Sequence, residues 1–395
     1  MTFARPCLSL LRTHARATAI IALAAVAVLA ARPAPAEPLL RATSAAGAFA
    51  VEEFARGLEH PWSIAFLPDG RALVTERPGR LRIVSPQGRL SPPVAGVPKV
   101  HASGQGGLLD VVASPSFDRD RTIFLSYAEP TPRGARTAVA RAELQIDADG
   151  ASLRKLKVIF AQKHDPSGSH HWGSRLVFAR DGTLFVTLGD RYAHSERAQD
   201  LGSHFGKVVR IRSDGTVPAD NPFVNRGDAL PEIWSLGHRN PQGGALHPET
   251  GRLWTHEHGP QGGDEVNVGK PGANHGWPVI TYGRQYGTGF KIGEGTSRPD
   301  IEPPLHQWTP SIAPSGMAFY TADRFPGWRG SLFVGSLKFR MLSRLELDGE
   351  RVVREERLLE ALGERIRDVR QGPDGLIYLA TDNANGRLLR LVPAP

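Results

Sequence analysis

Short apolar runs on either side of a tight turn recur along the chain, and they predict strands rather than helices. The first is Trp62-Ser63-Ile64-Ala65-Phe66-Leu67, then Pro68-Asp69-Gly70, then Arg71-Ala72-Leu73-Val74-Thr75-Glu76: strand, turn, strand. The same figure returns at 111–129, 175–190, 244–259, 317–336 and 369–383, which makes six unevenly spaced copies. Each sets Pro, Asp or Gly between two runs rich in β-branched and aromatic residues, and further strands, such as 80–84 and 342–347, follow some of them. Units of this kind cannot bury their apolar faces alone and stack around an axis, so the expected fold is all-β, a six-bladed β-propeller. A β-sandwich or a pair of barrels would use equally short strands and is the competing arrangement. Helical periodicity is confined to 153–157 and 354–365.

The N-terminus stands apart from this pattern. Arg5, Arg12 and Arg16 precede an apolar run over 17–31 and the small residues Ala34-Pro35-Ala36, which predicts a secretory signal peptide over 1–36, cleaved before Glu37. A flexible lead-in over 37–50 and one catalytic propeller over 51–395 complete the expected organisation. No other segment approaches the roughly 20 apolar residues that span a bilayer, so stable membrane insertion is not expected and a periplasmic or secreted location is. The one cysteine, Cys7, falls in the leader, which excludes disulfides, thiolate ligands and cysteine nucleophiles from the mature chain. Removing Arg5, Arg12, Arg16 and Arg32 lowers the net charge from +8 to +4. The remaining basic residues do not form runs, which argues against a nucleic-acid partner.

In a propeller, equivalent loops of successive repeats gather at one end of the axis. Those loops are rich in His and cations: GQGGLLD (104–110), SHHWGSRL (169–176), LGDRYAH (188–194), GHRNPQG (237–243), HEHGPQGGDE (256–265), TPSIAPSG (309–316), SLKFR (336–340) and ERIRDV (364–369). The densest chemistry is in 237–267, where 245–257 reads as a hairpin with a cationic half before it and a Gly-rich, acidic half after it. Arg239, Lys338, Arg365 and Arg367 come from three repeats, and together they call for a polyanionic guest. Taken singly, each is equally explained by a salt bridge between blades to a neighbour such as Asp368 or Asp264. His170 and His171 precede a strand, so one of them faces the axis and could serve as a general base, a surface pair being the alternative. The carbonyls and carboxylates of 258–265 suit a hard cation such as calcium better than zinc. No GxSxG elbow is present to support a serine hydrolase.

In this order, the motifs WSIAFLPDG, GQGGLLD, GSRLVFARDGTLFVTLGDR, GHRNPQG, EHGPQGGDEVN, NHGWP, SLKFRML and RIRDV resemble the soluble pyrroloquinoline quinone-dependent aldose sugar dehydrogenases of the glucose/sorbosone dehydrogenase family. The resemblance covers nearly the whole mature chain. It implies a six-bladed propeller that holds the tricarboxylate quinone and a calcium ion over the axis and oxidises the anomeric carbon of aldoses to lactones, electrons passing to an external acceptor. It implies His171 as the base on the anomeric hydroxyl, and Arg239 beside the quinone oxygen where negative charge grows, with Asn240 next to it. Gln105 and Asp264 would line the same site, Lys338, Arg365 and Arg367 would hold the quinone carboxylates, and the carbonyls of Gly259 and Pro260 would bind calcium. The hairpin would then be a spacer between Arg239-Asn240 and Gly259-Pro260. Monomer and homodimer are both compatible with the pattern. A calcium-dependent lactonase or esterase and a non-catalytic sugar-binding propeller are the competing functions.

Overall fold

The computed structural model describes residues 1–3, 37–148, 150–163 and 167–394. The signal-peptide assignment therefore lies outside the described residues. The chain divides into the units Met1–Ala36 and Glu37–Pro395, and every strand among the described residues lies in the second.

Among the described residues, the strands form six antiparallel sheets, five of them meanders of strands consecutive in sequence. The first blade has three strands: Pro61–Phe66, Ala72–Glu76 and Arg80–Val84. The next four have four strands each and begin at Leu108–Ala113, Leu176–Phe178, Pro241–Leu246 and Pro314–Phe319. The last joins both ends of the chain: Ile366–Gln371, Ile377–Thr381 and Gly386–Pro393 from the C-terminus, then Gly47–Leu58 and Leu40–Ser44 from the N-terminus. The innermost strand of each blade packs against that of the next, and Ile366–Gln371 returns to Pro61–Phe66, so the ring is closed.

This closure corrects the reading of 37–50 as a flexible lead-in. Leu40 to Ser44 pair with Val51 to Gly47, and Phe49 pairs with Pro393 at the other end of the chain. Phe49 is fully buried and meets Trp328 edge-on at 5.2 Å, so the segment is held by a side chain as well as by its ladder. The helical alternatives at 153–157 and 354–365 also resolve into strands, Gly150–Ala161 and Arg351–Leu358, followed by a single 3₁₀ turn at Glu360–Leu362. No helix among the described residues is long and apolar enough to cross a membrane.

The second strands Ala72–Glu76, Leu184–Leu188, Leu253–Glu257, Leu332–Ser336 and Ile377–Thr381 are buried at every position. Each has a neighbouring blade on both faces, which is why these runs open on consecutive apolar residues instead of alternating.

Toward the axis the composition changes. Arg175, 1 % exposed, bridges Asp110 (3.0 Å) and Asp368 (3.2 Å), and its Nε donates to the Gln242 carbonyl at 3.0 Å. Arg370 reaches the same two carboxylates. Four blades are thereby tied together through one charged plug. Asp368 serves this plug instead of pairing with the loop cations.

Candidate functional site

At one mouth of the axis, a cavity of about 490 Å³ is lined by Trp62, Arg77, Gln105, Gln242, His258, Lys338, Arg340, Arg365, Arg367 and Asp382, among others. Bulges in the blades explain how several of these residues arrive there. The pairing of first and second strands skips Trp62 between Pro61 and Ser63, Gln242 between Pro241 and Gly243, and Arg367 between Ile366 and Asp368. An extra residue in one strand is freed from the ladder and re-aimed, and here all three point into the cavity.

The cavity is electrically unbalanced. Arg77, Lys338, Arg340, Arg365 and Arg367 face a single carboxylate, Asp382, among the described lining residues. That carboxylate accepts from Arg365 (2.8 Å) and Arg367 (3.1 Å), and the two guanidiniums hold its pKa far below the usual carboxylate range. Lys338 is exposed and makes no ion pair among the described residues; its Nζ lies 5.2 Å from the Phe339 ring. Two buried donors point at nothing: Arg367 Nε and Asn240 Nδ2 lack partners among the described residues. Excess positive charge and idle donors fit a compact guest with several anionic oxygens, and the volume lies in the ordinary range for small-molecule sites.

Beside this cavity stands the expected base. His171, not its neighbour, is the buried member of the pair, and its Nδ1 is 2.6 Å from Asp190 Oδ1. Asp190 also accepts from Trp277 Nε1 (2.8 Å) and the Tyr192 amide (2.7 Å). With Nδ1–H committed to the carboxylate, the imidazole keeps a bare Nε2, the arrangement a general base needs. Burial lowers the His171 pKa, Asp190 opposes that, and Arg239 pushes the same way as burial. Gln105 lines the cavity and accepts from the His171 amide at 2.9 Å, so it fixes the base through its backbone. Gly189 has to be glycine, because a Cβ there would lie 2.1 Å from the His171 carbonyl oxygen.

Arg239 lines a smaller pocket with His258, Gly259 and Trp277; its Nη1 donates to the carbonyls of His258 (3.0 Å) and Gly259 (2.6 Å). Its guanidinium sits 5.3 Å from the Trp277 ring, so Arg239, Trp277 and Asp190 form one connected group with His171. The two halves of the 237–267 hairpin are thus in direct contact rather than spaced apart. Asn240 is fully buried and accepts from the Gly173 amide at 3.1 Å. Asp264 is a brace: its oxygens accept from the Gly259 amide (2.8 Å) and the Ala313 amide (2.7 Å), and burial lifts its pKa to about 6.

The two carbonyls expected to bind calcium already have partners. Gly259 O accepts from Arg239, and Pro260 O accepts from Tyr286 Oη (3.0 Å) and Ser311 Oγ (3.3 Å). Among the described residues no cluster of three or more His, Cys, Asp or Glu is set to hold a metal ion. Two engaged, neutral carbonyls fall well short of the six to eight oxygens calcium takes. By themselves these carbonyls would leave most of a calcium shell to other oxygens, such as those of a bound guest.

Arg77, Arg340, Gln242, Asp190 and Asp382 were not singled out from sequence. The signal for some of them lay in the repeat itself. Arg77, His258, Leu337 and Asp382 each follow directly on the second strand of their blade, and all four line the cavity.

A propeller with a cationic cavity at one mouth and an oriented imidazole beside it is a scaffold for holding a small anionic molecule next to a base. The Glucose / Sorbosone dehydrogenase family model matches residues 58–390. Aldose sugar dehydrogenase YliI of Escherichia coli is 45 % identical over 347 residues, 87 % of this chain and 92 % of that protein. A crystal structure of a glucose dehydrogenase superposes with a TM-score of 0.84 at 50 % identity, over 87 % of this chain and 99 % of that one. The PQQ-bound form of an aldose sugar dehydrogenase from Streptomyces coelicolor gives 0.70 at 29 % identity, over 87 % and 98 %. The chain belongs to the glucose/sorbosone dehydrogenase family, and it is an oxidoreductase.

Proposed function

We propose that this protein oxidises the anomeric carbon of aldose sugars to the lactone, with pyrroloquinoline quinone bound in the axial cavity. The observation that carries this reading is the set of five cations facing one already paired carboxylate, next to a base held by Asp190. Lys338, Arg365 and Arg367 would hold the quinone carboxylates, with Arg77 and Arg340 adding to the field, and Asn240 Nδ2 and Arg367 Nε are the donors in need of a guest. When bound, the quinone supplies the acceptor for the hydride that leaves C1.

The chain's own residues supply the rest. His171 Nε2 takes the proton of the C1 hydroxyl as the C1–H bond gives up its electron pair, so the sugar loses two electrons and two hydrogens in all. Asp190 keeps the imidazole in the right tautomer and stabilises it once protonated. Arg239 has Nη1 anchored on two carbonyls, and its Nη2, free of partners among the described residues, is the donor assigned to oxygen that gains negative charge. The reduced site passes its electrons to an external acceptor. Calcium is proposed as a companion of the quinone, whose oxygens would complete a shell the two carbonyls cannot, and no step is routed through it. A periplasmic or secreted location following leader cleavage is part of the same proposal.

The test uses purified protein loaded with pyrroloquinoline quinone and calcium, with dye reduction followed for glucose, galactose, maltose and other aldoses. Reduction with at least one aldose is expected, together with quinone absorbance that survives desalting. Absence of both overturns the proposal. His171→Ala is expected to retain the quinone and to lose about 10²- to 10⁴-fold in kcat, the usual contribution of a general base.

A further inference from the structure

The loop that carries His171 is gripped by a cation that the proposed reaction does not use. Arg191 is 2 % exposed. Its guanidinium donates to three backbone carbonyls: Nε to His170 (3.1 Å), Nη2 to Gly168 (2.7 Å) and Nη1 to Ala135 (3.0 Å). Its Cζ also stands 3.4 Å from the centroid of the Trp172 ring. Trp172 is anchored in turn: its indole donates to Ser169 O at 3.0 Å and its carbonyl accepts from Thr137 at 3.1 Å.

A guanidinium buried on carbonyls and a ring is costly, since a buried charge is ordinarily matched by a carboxylate. The adjacent Asp190 is committed elsewhere, to His171, Trp277 and the Tyr192 amide. Burial accordingly lowers the Arg191 pKa to about 10. The backbone is strained at the same place, with left-handed φ of 51° at His171, 83° at Ser174, 57° at Arg191 and 67° at Tyr192. Strain of this sort persists only where surrounding contacts over-determine the conformation, and it clusters at functional sites.

We propose that Arg191 is a positioning residue for His171: the dipeptide Asp190-Arg191 grips the imidazole with its first side chain and the imidazole's loop with its second. The assignment rests on the dehydrogenase reading for its kinetic consequences, not for its geometry. Lysine is a point charge on a flexible stem and cannot span three carbonyls while stacking on an indole, so Arg191→Lys tests the fork and the stack.

In quinone-loaded Arg191→Lys, kcat is expected to fall about 10- to 100-fold, the scale of a misplacement near 1 Å, with aldose KM changed far less and quinone retention unchanged. A loosened loop lets water reach His171, which relieves the burial that lowers the imidazole pKa, so the acid limb of the kcat profile moves to higher pH. The second arm needs no activity: the ring of His171 is titrated by NMR in the quinone-free protein, its signals identified by their loss in His171→Gln, and its pKa is expected to rise in Arg191→Lys. Trp172→Leu, which keeps the carbonyl contacts, is expected to shift it the same way by less and serves if Arg191→Lys does not fold. An unchanged His171 titration in a folded variant overturns the proposal, as does unchanged kcat with an unmoved acid limb. If the wild type oxidises no aldose, the dehydrogenase reading falls, while the titration still decides on Arg191.

Discussion

His171 and His258 stand at the same mouth and are set to opposite tasks by a single hydrogen bond each. In His171 the carboxylate of Asp190 holds Nδ1, which leaves Nε2 to accept a proton. In His258 it is Nε2 that donates, to the Pro314 carbonyl at 2.5 Å, which leaves Nδ1 as the bare acceptor. Burial keeps His258 neutral, far below its ordinary pKa, so in a cavity of donors it offers an acceptor for an N–H or O–H of the guest. In the proposed reaction the neutral form of His171 is the active one. Its pKa is lowered, so activity is expected to rise with pH through a limb below the ordinary 6.5 and to be flat above it. Asp190→Asn removes the influence that raises this pKa. The acid limb should then move to lower pH even as kcat drops about 10- to 1000-fold, the reverse of the shift expected for Arg191→Lys. A limb that moves upward, or a rate that holds, counts against the pairing as the orienting contact.

At the scale of strands and loops, the cations divide by how they are held. Lys338 comes from an exposed loop and is unpaired among the described residues, whereas Arg367 is a bulge residue that donates to Gln242 Oε1 at 2.9 Å and to Asp382. Lys338→Ala should weaken quinone binding about 10- to 100-fold, the worth of one charged hydrogen bond, and leave the melting temperature nearly unchanged. Arg367→Ala should weaken it and also lower the melting temperature, since it strips a partner from half-buried Asp382. Equal stability losses in the two variants would show that the bulge does not carry the difference. These elements also mark what could be read in advance. The second strands were legible because burial on both faces leaves consecutive apolar residues between turn residues. The gathering of Lys338, Arg365 and Arg367 was legible because repeats on a ring bring equivalent loops together. The direction of Arg239 was not, because whether a loop guanidinium points into the cavity or back onto His258 O and Gly259 O depends on a backbone path with no signature in residue type. The strand 40–44 was missed for a related reason: its register is set by Gly47 to Val51, which in turn pair at the far end of the chain.

Over the whole molecule, the buried titratable groups make ring stability depend on pH, and the sign follows from counting protons. His171, His204, His256, His258 and His275 are all held below 6.5 by burial, His256 at about 3. Below pH 6.5 the unfolded chain binds protons at these positions that the folded chain refuses, so their contribution is complete above that pH and lost as pH falls. For His256 alone the loss is about 1.4 kcal/mol per pH unit between 6.5 and 3. Two carboxyls oppose this. Asp264 at about 6 and Glu265, raised by burial and by Glu257, keep protons that the unfolded chain has released, so they add stability as pH falls toward the ordinary carboxylate range. Asp382, held low by two guanidiniums, sides with the histidines, but only near the carboxylate range. Five groups against two leave a net loss on acidification, and the melting temperature of the quinone-free protein is expected to drop by several degrees between pH 7 and pH 5. His256→Gln removes one of the five without touching the mouth of the cavity, so its melting temperature should depend less steeply on pH than the wild type's, whatever its value at pH 7. A wild-type melting temperature that is flat or rising toward pH 5, or a variant slope equal to the wild type's, would mean that these histidines take up protons in the folded ring after all.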